Sequence, residues 1–277
     1  RLMASTVFMF YSAGWMATML LAVARVLGEV LETPSAESGA IIIAIVGLLA
    51  TAYTAMGGVK AVIWTDTIQA FALGGGMIFL LFSLIGDIDG GWNSLFEVAE
   101  SNDKMKMNST DGGWRERNVY SAIAYGFFIY LGGQIATYGS YQRYITVKST
   151  KDAQLSLGVK GIFTLFSCTL FFLVGTALYV FYHQAPESLE VFNDYSLDAA
   201  KDRLLPHYVM NYMDGAGITG LLLAGLFAAA MSSLDSGINS MVATLVTDWY
   251  KGRIMGKGTN RKLTLIFGVL VTGIGCL

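Results

Sequence analysis

The sequence predicts an all-α membrane protein with about seven transmembrane helices, the last of them truncated. Three observations lead there: a deficit of charge, long uncharged apolar runs, and connectors whose charge alternates in sign. Of 277 residues, 54% are hydrophobic and 14% charged, with mean hydropathy +0.55. A soluble domain carries about 25% charged residues. The apolar runs are of membrane-spanning length, and backbone groups in hydrocarbon can pair only inside helices or closed barrels. Thirty-two glycines against three prolines suit close helix packing in a bilayer.

Seven segments, called A to G, follow in order: Met3–Val30, Gly39–Gly57, Ala61–Ile85, Asn118–Tyr141, Leu155–Tyr182, Gly215–Val246 and Leu263–Leu277. A to F are each long enough to cross with some tilt. G covers about 15 residues, fewer than the roughly 20 a span needs. With a start at Arg1 and no signal-peptide pattern, the chain reads as a fragment, a single transmembrane domain over 1–277.

The connectors set the topology. B–C, D–E and F–G carry Lys60, Arg143, Lys148, Lys151, Lys160, Lys251, Arg253, Lys257, Arg261 and Lys262 against only Asp152 and Asp248. The A–B, C–D and E–F connectors are acidic. The positive-inside rule therefore places Arg1 in the cytoplasm and loops at about 86–117 and 183–214 outside. The protein is expected in the plasma membrane as a multi-pass chain. A net charge of −2 gives no bulk case for nucleic acid. Cys168 and Cys276 lie in apolar runs and His183 and His207 in connectors, so neither a disulfide framework nor a metal cluster is expected. No nucleophile–base pair or phosphate loop appears, so the chain is not read as an enzyme.

Three charged residues fall at membrane depth: Arg25, Asp66 and Asp235. Arg25 precedes Glu29 by four residues, a spacing at which a helical ion pair can form. Asp66 follows Lys60 by six residues, roughly 9 Å into segment C. Asp235 stands 11 residues before Val246, about 16 Å into segment F. There it shares a broad face with Ser232, Ser236, Asn239 and Ser240, below the small residues Ala228 to Ala230. Such a stripe can be polar glue between helices. The added carboxylate makes it a candidate ion or proton site, since hydroxyl and carboxylate oxygens suit a hard cation such as Na⁺. A cation bridging C and F could neutralise both acids; separate local pairing is the alternative.

Segment D carries four glycines, and adjacent Gly132-Gly133 marks an expected break. Broken helices near the midplane are where secondary transporters expose backbone to substrate. Tyr130, Gln134 and Thr137 would share a face with that gap. Tight packing is the competing role for these glycines.

Three stretches carry a family resemblance: Gly57-Gly58-Val59-Lys60-Ala61-Val62-Ile63-Trp64-Thr65-Asp66, Gln142-Arg143-Tyr144 with Lys148-Ser149, and the run ending Met231-Ser232-Ser233. In these the sequence resembles the sodium/solute symporter family of sodium-coupled sugar, proline, sialic acid, iodide, monocarboxylate and vitamin carriers. The resemblance implies a LeuT-like inverted-repeat fold, with A to G matching the third to ninth core helices. It implies sodium-coupled symport of a small organic solute by alternating access, with Na⁺ as the coupling ion and no organic cofactor. One implied sodium site uses Ala229, Ser232 and Ser233; another joins Asp66 to Ser232, Asp235 and Ser236. The expected substrate face is Tyr130, Gly133, Gln134 and Thr137. The chain departs from the sugar carriers: their lysine position is Leu170, their aromatic gate Gly133 and their substrate-contacting asparagine Tyr130. Asp235 stands where a small polar residue is common. A solute-sensing input domain of a signalling protein and a proton-coupled symporter are the alternatives.

Overall fold

The computed structural model describes the backbone of residues 1–31, 33, 35–104, 118–136, 140, 144, 147–192, 197–213, 216–250 and 257–277. It describes their side chains except those of 57–63, 134–136, 197–200, 216–219, 221–222 and 257. The described elements are helical: α1 (Leu2–Val30), α2 (Ala36–Asp87), α3 (Gly91–Ser101), α4 (Val119–Ala136), α5 (Thr150–Gln184), α6 (Leu197–Asn211), α7 (Ala216–Thr244) and α8 (Lys257–Gly275). A 3₁₀ segment covers Pro186–Phe192, and a π turn, Leu245–Trp249, continues α7. Among the described residues, Leu2–Val30, Ala36–Met56, Trp64–Asp87 and Thr150–Gln184 are long and apolar enough to cross a membrane.

α2 holds two of those spans, and they do not lie on one straight axis. The Tyr53 hydroxyl meets that of Thr65, twelve positions on. Twelve residues of straight helix rise about 18 Å, beyond the reach of the two side chains. The start of the second span therefore lies beside the end of the first.

Two compact units divide the chain: residues 1–76 with 197–277, and residues 77–196. In the first unit, α1, the span Ala36–Met56, α7 and α8 share one core. Met16, Leu20 and Val23 of α1 meet Ile43 and Ala50 of α2, Leu234, Ile238 and Met241 of α7, and Val271 of α8. Small residues set how close these helices come. A Cβ on Gly268 of α8 would lie 2.7 Å from the Thr51 Cβ, and one on Gly47 of α2 would lie 3.0 Å from the Thr272 Cβ. The two glycine–threonine pairs interlock α2 with α8. Each threonine satisfies its own hydroxyl on its own helix, Thr51 on the Gly47 carbonyl at 2.7 Å and Thr272 on the Gly268 carbonyl at 2.8 Å. A Cβ on Gly237 of α7 would similarly meet the Met16 Cγ at 3.0 Å.

In the second unit, α3 follows a turn with Gly90 at φ +87° and packs its Leu95 and Ala99 face inward. Gln184 at the end of α5 donates to the Asp89 carbonyl (3.2 Å) and to Ser94 Oγ (2.8 Å), and accepts from the Asp89 N–H at 3.0 Å. α5 begins at Ser149, whose Oγ accepts from the Asp152 N–H as an N-cap.

Two sequence expectations change here. Arg25 does not pair with Glu29: its Nη1 donates to Asp202 Oδ2 at 3.0 Å, while Glu29 pairs with Arg203 at 2.8 Å. α6 supplies both new partners, and a loop reading of 183–214 had no helix there to place them. Nor does α4 break at Gly132-Gly133, since the helix continues to Ala136. Glycine lowers helix propensity by only about 1 kcal/mol, and a helix in lipid has no other way to pair its backbone.

Candidate functional site

Asp235 sits in the middle of α7 with 0% of its surface exposed. Its Oδ1 accepts from the Thr54 hydroxyl, at the end of the first α2 span. The Tyr53 hydroxyl lies within electrostatic reach of Asp235 as well. Asp66, half-buried on the second α2 span, lies within electrostatic reach of Asp235 and of Tyr53. The acids of segments C and F thus lie within each other's field.

The helix register explains why. α7 approaches the second α2 span so closely that a Cβ on Gly225 would lie 3.2 Å from the Leu73 Cα. The nearness of Asp66 to Asp235 requires the two helices to run antiparallel. Stepping one turn from Leu73 and Gly225 brings Gln69 level with Ala229; a further turn brings Asp66 level with Ser232. Asp235 and Ser236 follow one turn on.

Asp235 Oδ2 and Gln69 Oε1 are buried and find no hydrogen-bond partner among the described residues; Asp66 Oδ1 is buried as well. A buried acceptor without a donor costs about 1–3 kcal/mol, and more if charged. No Lys or Arg pairs with Asp235 among the described residues; its neighbours are hydroxyls and another carboxylate. With carboxylate and hydroxyl oxygens and no cationic side chain on Asp235, the cluster has the ligand chemistry of a small hard cation. Thiolates and imidazoles, which would favour a soft metal, take no part.

The residues of the other expected position lie one turn apart on α7. Ser233 Oγ donates to the Ala229 carbonyl at 3.1 Å, which leaves the hydroxyl lone pairs available to a cation. Ser232, Ser233 and Ser236 are half-buried. Ser240 Oγ donates to the Ser236 carbonyl at 2.7 Å and is thereby satisfied within α7.

The expected substrate face is only partly described. Tyr130 is exposed and Gly133 half-exposed, both on α4 in the unit of residues 77–196. The side chain of Gln134, and Thr137 altogether, lie outside the described residues.

Sequence reasoning passed over Tyr53, Thr54, Thr65 and Gln69. Gln69 had a signal, being three residues from Asp66 on the same helix face. Tyr53 and Thr54 had only a weak one, a polar pair at the end of an apolar run.

Comparison with known proteins adds the following. The family model described as the sodium:solute symporter family matches residues 1–274. The chain is 29% identical over 279 residues to the sodium/sialic acid symporter NanT of Aliivibrio fischeri, covering 98% of this chain and 53% of that protein. It is 32% identical over 213 residues to the sodium/sialic acid symporter SiaT of Proteus mirabilis, covering 76% and 41%. A solved structure of a Na⁺-coupled sialic acid symporter, substrate-bound and outward-open and described as revealing a novel Na⁺ site, matches with TM-score 0.88 and 26% identity. That match covers 99% of this chain and 58% of the other. The fold is thus LeuT-like, in a membrane protein whose family and structural neighbours are transporters. The chain spans about half the length of the curated relatives it matches.

Proposed function

Because this chain belongs to the sodium:solute symporter family, we propose that the protein containing it performs Na⁺-coupled symport of a small organic solute across the plasma membrane by alternating access. The observation that carries this reading is the buried Asp235, held by hydroxyls and facing Asp66, with acceptor oxygens to spare.

Two cation positions lie along α7. One uses the Ala229 carbonyl with Ser232 and Ser233; the other uses Asp66, Ser232, Asp235 and Ser236. Ser232 belongs to both, so an ion can pass between them without crossing an apolar gap. Na⁺ entering from outside occupies them, favours the outward-open state and raises solute affinity there. An ion shifts that equilibrium only by its difference in affinity between the two states. A potential of 100 mV adds about 2.3 kcal/mol per charge carried fully across. Tyr130, Gly133, Gln134 and Thr137 are the proposed solute-facing residues.

Two relatives are named for sialic acid, so it is the first solute to assay. Uptake into proteoliposomes carrying the intact protein is expected to require an inward Na⁺ gradient. Equal uptake in choline or potassium media at every pH would overturn the proposal.

A further inference from the structure

We propose that the span Ala36–Met56 forms a third wall of the cation site, with Thr54 and Tyr53 as positioning residues that turn Asp235 Oδ2 toward the ion. The inference rests on the reading of Asp66 and Asp235 as cation ligands and extends it to a helix that carries no charge.

Most hydroxyls on these helices are satisfied one turn back on their own backbone. Thr51, Thr272 and Ser240 each do this at 2.7–2.8 Å. Thr54 lies 2.7 Å from the Ala50 carbonyl in the same way, but it also meets Asp235 on another helix. It carries one proton. While Asp235 is ionised that proton goes to the carboxylate, and the Ala50 carbonyl keeps its ordinary helical bond.

The adjacent residue makes the complementary link. The Tyr53 hydroxyl meets Thr65, next in sequence to Asp66, and both carboxylates lie within its electrostatic reach. Thr54 is buried at 2% exposure, so water does not compete for its bond. Two neighbouring side chains at the end of this span therefore hold Asp235 on one side and the residue next to Asp66 on the other.

The physical need is plain. Two ionised carboxylates repel when no ion lies between them, and each would rotate away. A hydroxyl fixed on Oδ1 holds the rotamer and keeps Oδ2 aimed at the site. Outer partners of this kind change metal affinity about 10–100-fold when removed.

The test uses the intact protein in detergent, with Na⁺ alone as the probe. Thermal midpoints are followed as NaCl replaces choline chloride at constant ionic strength, and Li⁺ is run in parallel. Thr54→Val is expected to raise the Na⁺ concentration for half-maximal stabilisation at least about tenfold. Thr54→Ser, which keeps the donor, is expected to stay within about twofold of wild type, and Tyr53→Phe to shift the same way as Thr54→Val but less. A packing role alone would lower the midpoint in choline and leave the Na⁺ dependence unmoved. The proposal is overturned if Thr54→Val keeps wild-type Na⁺ dependence, or if Thr54→Ser is impaired as badly as Thr54→Val. Should Thr54→Val fail to fold, Tyr53→Phe decides: unchanged Na⁺ half-saturation and unchanged Li⁺/Na⁺ ratio overturn the third wall. A wild-type protein with no saturable Na⁺ response instead removes the functional reading beneath it, a separate outcome.

Discussion

At the α1 end near Glu29, which the charge rule puts outside, acids and bases of the protein neutralise one another. Arg203 closes on Glu29 at 2.8 Å and Arg25 on Asp202 at 3.0 Å. Deeper in the same unit, Asp235 is fully buried and meets Thr54 and the field of a second carboxylate. A pair whose partner is built into the chain is complete at all times. A carboxylate held only by hydroxyls is complete only when something from outside brings the positive charge. The outer pairs are a clasp and the inner acids the proposed binding site, although carboxylates serve in both.

Substitutions and a change of pH sharpen that contrast, taken from the largest expected effect down. Asp235→Asn removes the charge but keeps the shape. It is expected to raise the Na⁺ concentration for half-maximal uptake by about 100-fold or to abolish Na⁺ stimulation, since removing one partner of a buried ionic contact costs about 3–5 kcal/mol. Gly268→Ala leaves every charge in place and forces a methyl group against Thr51. It is expected to cost about 1–3 kcal/mol, seen as a lower thermal midpoint with unchanged Na⁺ half-saturation.

At the outer end the effects are smaller. Arg25 and Asp202 are 63% and 61% exposed, against 20% and 25% for Arg203 and Glu29. Arg25→Ala is expected to change stability by less than about 1 kcal/mol, and Arg203→Ala by more than Arg25→Ala because it strands a half-buried carboxylate. Neither is expected to alter Na⁺ dependence.

The smallest effect is one of pH. Burial holds His207 of α6 below its usual value of 6.5. The neutral ring is the one the fold prefers, so its stabilisation is present above pH 6.5 and is lost as pH falls below that value. Protease protection of α6 is expected to weaken on acidification, and His207→Gln to flatten that response.

The contrast also shows what the sequence could and could not disclose. Helices of membrane length leave a long apolar run, so α1 at Leu2–Val30 was foreseen within a residue as Met3–Val30. Asp66 and Asp235 stood out because charge is rare in such runs, and the register set by Gly225 and Leu73 brings them together. The helices α3 and α6 inside the acidic outer loops were missed, since their short polar sequences resemble connectors. Missing α6 meant missing the partners of Arg25 and Glu29 too. Tyr53 and Thr54 escaped because a hydroxyl in a membrane helix is usually satisfied locally, and sequence does not tell which one reaches across. Gly132-Gly133 misled in the opposite direction: weak propensity permits a break but does not make one.

Equilibrium ²²Na⁺ binding to the intact protein, with and without the double change Asp66→Asn and Asp235→Asn, probes the inner carboxylates without any need to know the solute. Saturable binding in the wild type, and loss of the carboxylate-dependent part of its stoichiometry or affinity in the doubly substituted protein, is the expected result. Retention of the wild-type stoichiometry and affinity after both charges are gone would contradict it.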